Sequence, residues 1–447
     1  MSATLLTNAA VLTMNASSAV YPEGWVLFED ELILGVGAKG SEPGVGGSDT
    51  VLDLAGHAVL PGLVNAHTHS PMVLFRGRAE GRNLLSMDGW YTTIRVPELS
   101  LHPEDIGPAT ALSCAEMLLS GTTTFADQYF FADEIALAVE AAGLRAVVTY
   151  GIVQLGDVER GEEELRRATA FAQRFQVGGG RITGWLGPHA PFVDNTEALL
   201  QAEAQTARRL GAGLHLHMAV GPEDNALTLE TRGVTAAAAL RDLGFFDSRV
   251  LAAHCLDLSR EDIAIFAAAP ALAVAHCPSA GLRSGVRYLC PVIDLQAAGV
   301  TVALGTDNVA NNNSHDLLAE ARTAGLAASY REGLPQPLSA TTLLRMATID
   351  GARALGLDAH TGSLEAGKAA DLIALDLGRA GYSESPDLAA LLVYSGSGKD
   401  LRHSWVGGEQ LVRDGQLTRQ HLPTLRRDFS RAHAAFWQRV GAAEVNA

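Results

Sequence analysis

Eight apolar, β-prone runs recur along this sequence, separated by segments with helical spacing, and that alternation limits the possible folds more than any other feature. The runs are Val59–His69, Gly121–Asp127, Arg145–Ile152, Arg181–His189, Gly213–Ala219, Arg249–Cys255, Ala271–Cys277 and Val300–Asp307. Between them, and after the last, lie Glu104–Ser120, Asp133–Ala142, Glu162–Phe175, Thr196–Leu210, Val234–Leu243, Ser259–Ala268, Leu289–Ala298 and Leu317–Tyr330. These carry apolar residues at i, i+3 and i+4, the stripe of an amphipathic helix. Gly143, Gly211, Gly244 and Gly299 stand where left-handed C-caps belong. The runs are apolar almost throughout, as parallel strands covered on both faces must be. The pattern predicts an α/β fold, a (β/α)8 TIM barrel, which takes about 250 residues. An open doubly wound sheet would need a glycine-rich phosphate turn after its first strand. That position holds His67-Thr68-His69 instead.

The flanks read differently. Thr4–Met14, Trp25–Phe28, Leu32–Val36 and Val51–Leu54 are short β-prone pieces, with the Gly/Ser-rich Gly40–Ser48 between the last two. After a helical stretch, Ala340–Leu355, β character returns at Leu372–Leu377, and Ser404–Val406 and Gln410–Val412 flank a Gly407-Gly408 hairpin signal. Neither flank is large enough for a comfortable core. The expected organisation is therefore a β-sandwich subdomain formed from both chain ends, residues 1–58 and 361–420, with the barrel inserted at 59–360 and a helical tail at 421–447. Within that tail, Leu425–Val440 carries the amphipathic pattern.

Hydrophobic residues make up 47% of the 447 and charged residues 19%, which supports a large core and excludes wholesale disorder. A net charge of −17 argues against nucleic acid and anionic membranes as partners. The four cysteines include no CxxC pair, and no signal peptide or membrane-spanning stretch is evident at or after Met1-Ser2. The expectation is a reduced, cytoplasmic protein acting on a small-molecule substrate.

The first run ends in His67-Thr68-His69. Side chains alternate along a strand, so the two imidazoles share a face. Alone, such a pair is more often surface decoration. The other runs change that balance: His189 ends the fourth, His215 and His217 lie on the fifth, His254 ends the sixth, His276 ends the seventh and Asp307 ends the eighth. Seven of the 14 histidines thus fall at strand ends, the end of a barrel where catalytic groups gather. His67, His69, one histidine of the fifth run and Asp307 make an N3O set suited to zinc, with Fe2+ or Mn2+ as other candidates. A metal there lowers the pKa of a bound water towards neutrality. Asp307 would accept that water's proton, and His254 would contact the attacking water or a carbonyl oxygen. The fourth run offers no lysine to bridge a second ion, so one divalent metal is expected. Cys255 and Cys277 follow histidines but read as buried apolar residues. Of the remaining histidines, His215 reads as core packing and His276 is open. Trp90, Gln128, Arg283 and Asn308 are the further expected substrate contacts, with Tyr129 beside them. Asn311-Asn312-Asn313-Ser314 should fix the loop after Asp307.

Together these residues resemble the amidohydrolase superfamily. The nearest resemblance is to the branch of S-adenosylhomocysteine/methylthioadenosine deaminases, guanine and oxoguanine deaminases, and triazine hydrolases. The likeness is carried by Pro61-Gly62-Leu63-Val64-Asn65-Ala66-His67-Thr68-His69, Arg76-Gly77, Gly121-Thr122-Thr123-Thr124, Gly187-Pro188-His189, Ala253-His254-Cys255, Gly305-Thr306-Asp307 and Gly362–Asp371. It implies His67, His69, His217 and Asp307 as metal ligands, His254 as a catalytic histidine, His189 near the substrate, and a homodimer or higher homo-oligomer. His217 takes the ligand role over His215 because it matches that branch's single fifth-strand histidine.

Two departures fall in the site. Deaminases of this branch carry His-x-x-Glu on strand five, where the glutamate carries the proton to the ring and to ammonia; here the row reads His217-Met218-Ala219-Val220. The family's His-Asn-Pro-x-Ser-Asn after strand seven is His276-Cys277-Pro278-Ser279-Ala280-Gly281. The expected activity is therefore metal-dependent hydrolysis of a C–N or similar bond at an sp2 carbon of a small cyclic or aromatic substrate. The alternatives are a ring-closing dehydration in natural-product biosynthesis, for example of a benzoxazole, and ordinary deamination with Glu223 or Asp224 as substitute acid. A metal-binding scaffold without catalysis fits the set worst.

Overall fold

The computed structural model describes residues 3–44, 46–47, 49–176, 180–383 and 385–446. Residues 1–2, 45, 48 and 447 of the expected N-terminal segment, Gly40–Ser48 separator and tail lie outside the described residues. The N-terminal strands are β1 (Ala3–Leu12), β2 (Val20–Glu29), β3 (Leu32–Ala38), β4 (Thr50–Asp53) and β5 (His57–Pro61). The next eight are β6 (Leu63–Thr68), β7 (Thr122–Tyr129), β8 (Arg145–Ile152), β9 (Ile182–Pro188), β10 (Leu214–Met218), β11 (Val250–His254), β12 (Leu272–His276) and β13 (Thr301–Leu304). The last four are β14 (Leu372–Asp376), β15 (Leu401–Val406), β16 (Glu409–Arg413) and β17 (Gln416–Leu417).

β6 to β13 pair in sequence order, each neighbour parallel, into an eight-stranded sheet. The sheet bends round until its two edges meet. Thr68 bridges Asp307, and the Asp307 N–H donates to the His67 carbonyl at 2.9 Å. Asn65 stitches the same seam: its Nδ2 donates to Thr306 Oγ1 at 2.7 Å, and its Oδ1 accepts from Thr306 N at 3.0 Å. The fold is the expected (β/α)8 barrel, and the seam that closes it carries two of the proposed ligands.

The run expected as one strand, Val59–His69, is two. β5 pairs antiparallel with β14 in the second sheet, while β6 opens the barrel. The change of sheet occurs at Gly62, where a Cβ would lie 2.0 Å from Thr123 Oγ1. Only glycine permits that approach.

The second sheet uses both chain ends, in the order β17-β16-β15-β14-β5-β1-β2-β3, with β4 also on β1. β2 and β15 are four steps apart in that order, about 19 Å across a flat sheet. Yet the Phe28 and Trp405 ring centroids are 6.1 Å apart. The sheet therefore folds over on itself around Leu6, Val26, Phe28, Ile33, Leu372 and Trp405, as a sandwich does. The C-terminal helix, Leu422–Asn446, packs on helix Pro103–Leu119, with Phe436 buried and Trp437 Nε1 donating to the Leu74 carbonyl at 2.9 Å.

One helical expectation needs correction, and one helix was not expected. Ala340–Leu355 is two helices, Ala340–Met346 and Ile349–Ala354, broken at Thr348 (φ −136°, ψ −97°). A further helix, Pro222–Arg232, follows β10. It was not expected, because its residues are polar around most of its circumference. Proline at its start and two acids in its first turn were the available signals.

Candidate metal centre and active-site cavity

The ends of β6, β10, β11 and β13 bring five side chains together. The ligand atoms of His67, His69 and His217 lie within 4.8 Å of one another, as do those of His67, His254 and Asp307. Asp307 Oδ1 is 3.3 Å from His69 Nε2 and 3.5 Å from His67 Nε2, and His217 Nε2 is 3.2 Å from His69 Nε2. The His254 ring stacks on His217 with centroids 5.5 Å apart. His67 Nε2 and Asp307 Oδ2 are buried and have no hydrogen-bond partner. Orphaned polar atoms in a dry interior are costly; here they converge on one point, as a cation would require.

Protonation fits the same reading at His67, His217 and Asp307, whereas at His69 burial is outweighed by the Asp307 contact, which raises that imidazole's pKa. Burial drives His67 down to about 3 and His217 well below its ordinary value, which leaves lone pairs on both rings. Burial alone would raise the Asp307 carboxyl, but its contacts with His67 and His69 outweigh that and hold it well below the usual carboxylate range. The donor set therefore suits a divalent ion. His254 and Asp307 both sit at positive φ, 72° and 56°. Non-glycine residues in this region are strained, and such strain concentrates at functional sites.

The other ring nitrogens fix the ligands. His69 Nδ1 donates to the Gln128 carbonyl at 2.6 Å, and His217 Nδ1 donates to the His189 carbonyl at 2.9 Å. His67 Nδ1 is 2.7 Å from His215 Nε2. His215 is packed in the core as expected, but it also orients a proposed ligand, which the sequence reading missed; its place two residues before His217 put it on the same strand face. Asp127 holds the turn after His69, accepting from Ser70 N, Ser70 Oγ and Thr68 Oγ1 at 2.6–2.8 Å.

A cavity of roughly 880 Å³, counting its open mouth, lies over this cluster. His69, His217, His254 and Asp307 line its floor, and Trp90, Gln128, His189 and Asn308, the candidate substrate contacts, are in its wall. Trp90 belongs to a helical segment spanning residues 87–98 and stacks on His189 at 4.9 Å and 27°. Asn308 Nδ2 donates to Asp307 Oδ1 at 3.0 Å. Gln128 Nε2 is taken up by the His215 carbonyl at 2.6 Å. Arg283, expected at the substrate, does not line the cavity; its guanidinium is held by the Asn311 carbonyl at 2.6 Å and by Glu80 at 2.9 Å. The Asn311–Ser314 loop is pinned as expected, with Asn311 N on Asn308 Oδ1 and Asn312 Nδ2 shared between the Thr306 carbonyl and Glu320.

The amidohydrolase family model matches residues 58–411. This chain belongs to the amidohydrolase family. Among curated relatives, a 5'-deoxyadenosine deaminase of Methanosarcina mazei is 40% identical over 414 residues, covering 92% of this chain and 93% of the relative. A 5-methylthioadenosine/S-adenosylhomocysteine deaminase of Moorella thermoacetica is 41% identical over 405 residues, covering 90% and 92%. Among solved structures, an adenosine deaminase from Xanthomonas campestris with bound zinc superposes with a TM-score of 0.92 at 29% identity, over 97% of this chain and 98% of that one. An atrazine chlorohydrolase from Arthrobacter aurescens complexed with zinc gives 0.87 at 26% identity, over 96% and 100%. The chain is thus an amidohydrolase-type hydrolase on a deaminase-like TIM barrel, and its histidine-rich centre fits a divalent metal.

Within this amidohydrolase, Val220 lines the cavity where the deaminase glutamate was expected. Helix Pro222–Arg232 begins two residues later and brings Glu223 and Asp224 to the same wall. Glu223 Oε2 accepts from Met87 N at 3.2 Å, tying the helix to the segment that carries Trp90. Asp224 turns back instead, and its Oδ2 accepts from Val220 N at 2.8 Å. Burial pushes the Asp224 carboxyl up to about 6. The sequence reading also missed Glu98, a buried cavity carboxyl that accepts from Tyr129 OH at 2.7 Å. No motif marked it.

Proposed function

We propose that this amidohydrolase hydrolyses the C–N bond of an amino-substituted heterocycle, releasing ammonia, with an aminopurine nucleoside as the first substrate class to test. The support is a single juxtaposition. A carboxyl that burial raises to about 6, that of Asp224, lines the same cavity as the five-residue cluster, shortly after the strand that carries His217. His67, His69, His217 and Asp307 would hold one divalent ion, zinc in keeping with the zinc-bound structural neighbours, and that ion supplies Lewis-acid activation of water. Asp307 and His254 flank the point of attack. Asp224 takes over the proton traffic that Val220 cannot carry: ionised, it would take one proton from the attacking water and pass it to the ring nitrogen, then take the remaining hydroxyl proton and pass it to the amine, which leaves as ammonia. A general acid–base group does this best when its pKa lies close to the working pH. Trp90 and Tyr129 offer flat apolar surfaces for a planar ring.

The relatives are deaminases and hydrolases, so the ring-closing direction has no support beyond the missing glutamate. Ammonia release by the zinc-loaded protein with 5'-deoxyadenosine, adenosine, 5'-methylthioadenosine and S-adenosylhomocysteine tests the reading. Turnover of at least one is expected. Silence with all four, at full zinc occupancy, would overturn the nucleoside assignment.

A further inference from the structure

Among the described residues, His189 is the one cavity-lining imidazole outside the proposed metal cluster. It follows β9, and its Nδ1 lies 2.5 Å from Asp194 Oδ2. Asp194 is 5% exposed, and its other oxygen accepts from Ala190 N at 3.1 Å. The turn that carries it is rigid: Asp194 N donates to the Ala190 carbonyl, Pro191 bridges Asn195, and the Asn195 side chain holds Ile152 O and Gln154 N at 3.0 Å each. Trp90 stacks against the His189 ring, and the His217 ring stands edge-on to it at 4.7 Å.

Several other polar groups of the wall are already engaged, whereas Gln128 Oε1 is buried without a hydrogen-bond partner. Glu98 accepts from Tyr129 OH, Glu223 from Met87 N and Asp224 from Val220 N, and the Gln128 Nε2 donates to the His215 carbonyl. Among the described residues, His189 Nε2 has no such partner. A carboxylate can only accept, so a contact this short requires the hydrogen on Nδ1. Which ring nitrogen faces a ligand is set by the bond the other one makes.

We propose that Asp194 is a positioning residue that locks His189 in one rotamer with its hydrogen on Nδ1, and so presents Nε2 to the edge of a planar, nitrogen-containing ring. The substrate class rests on the function proposed above; the locked ring does not. Without Asp194, the imidazole exchanges its nitrogens and the substrate contact is held only part of the time. Losing one hydrogen bond to the substrate costs up to about tenfold in kcat/KM, and here the loss should fall on KM.

The test uses the full-length, zinc-loaded protein with 15N-labelled histidine, the His189 signals being assigned by their absence in His189→Gln. Long-range proton–nitrogen spectra should show His189 protonated at Nδ1, and Asp194→Asn should shift that pattern while zinc content stays the same. Kinetics on the best nucleoside from the ammonia screen form the second arm. Asp194→Asn should raise KM about tenfold in the wild-type background and change nothing further in His189→Gln. A wild-type His189 carrying its hydrogen on Nε2 alone would overturn the proposal, as would an equal KM penalty in both backgrounds. Should Asp194→Asn not fold, Asp194→Glu keeps the acceptor and should keep the Nδ1 pattern. If no nucleoside is turned over, the functional reading fails, while the spectra still decide the proposal.

Discussion

Replacing Asp224 by asparagine separates proton transfer from structure at one atom. The asparagine amide keeps the size and can still accept from Val220 N, now at 2.8 Å from Asp224 Oδ2, but it cannot carry a proton. Burial lifts this carboxyl from 3.8 to about 6, so at pH 7 about one molecule in ten holds the proton, roughly 100-fold more than an ordinary aspartate would. A positioned general acid–base contributes about 10²–10⁴ in rate. Asp224→Asn should therefore lower kcat/KM for the best nucleoside by about 10²–10³, or about 2.7–4 kcal/mol of transition-state stabilisation, with zinc content unchanged. The ionised form must enter the reaction to take water's proton. The wild-type kcat/KM should accordingly rise with pH to a midpoint near 6, and that limb should vanish in the variant. Adding Val220→Glu to Asp224→Asn places a carboxyl on the same wall and should recover at least about tenfold of the loss. An Asp224→Asn enzyme that keeps a third or more of its kcat/KM would refute the reasoning, as would one that keeps the limb near pH 6.

Three further outcomes follow from the same geometry. Chelation of the metal should abolish ammonia release and lower Tm by several degrees, and one equivalent of zinc should restore both, because an ion bound only by the folded state adds its binding free energy to stability. Asn65→Ala should cost about 2–4 kcal/mol, since it removes two buried hydrogen bonds across the β13–β6 seam and strands the Thr306 N–H; urea melts of both proteins check the figure, and a loss under about 1 kcal/mol would contradict it. Glu320 is 2% exposed, and burial pushes its carboxyl from 4.5 up to about 7. Its folded pKa lies above its unfolded one, so its contribution favours folding at low pH, falls as pH rises from about 4.5 to about 7 and is flat above; the full span is about 3 kcal/mol. The difference between wild type and Glu320→Gln in urea melts at pH 5 and pH 8 should follow that fall.

The barrel was legible because its strands are buried on both faces and its ligands are chemically explicit. A run such as Ala271–Cys277 has little choice but to be a covered strand, and histidines converging from several strand ends point to a metal where a single pair would not. What stayed hidden depends on distance rather than type. The division of Val59–His69 into two strands is invisible in an unbroken apolar run; it shows only in the clash that a Cβ on Gly62 would make with Thr123. Helix Pro222–Arg232 lacks the apolar stripe that marks helices, so Glu223 and Asp224 were read as candidate acids without the helix that carries them to the cavity. An aspartate in a turn is ordinarily a turn-former, and nothing in the sequence says that Asp194 reaches His189. Arg283 was misplaced for the same reason, because a basic residue near a strand end can as well clamp a neighbouring loop.

These hidden features share a location, and that bears on how Val220 is tolerated. The proposed ligands stand on strands and are braced from behind: His67 by His215, the turn after His69 by Asp127, and Asp307 by the seam through Asn65 and Thr306. Each brace is buried. The proton-handling and substrate-facing groups stand on connections instead: Asp224 on the helix after β10, Asp194 on the turn after β9, and Trp90 on the segment after β6, with Glu223 joining the first and last through Met87. Connections accept new side chains at small cost to the fold. A valine at position 220 therefore removes one carboxyl without disturbing the metal set, and a carboxyl on the adjoining helix can take its place. The chemistry of this amidohydrolase should therefore differ from that of its relatives in pH profile and substrate range.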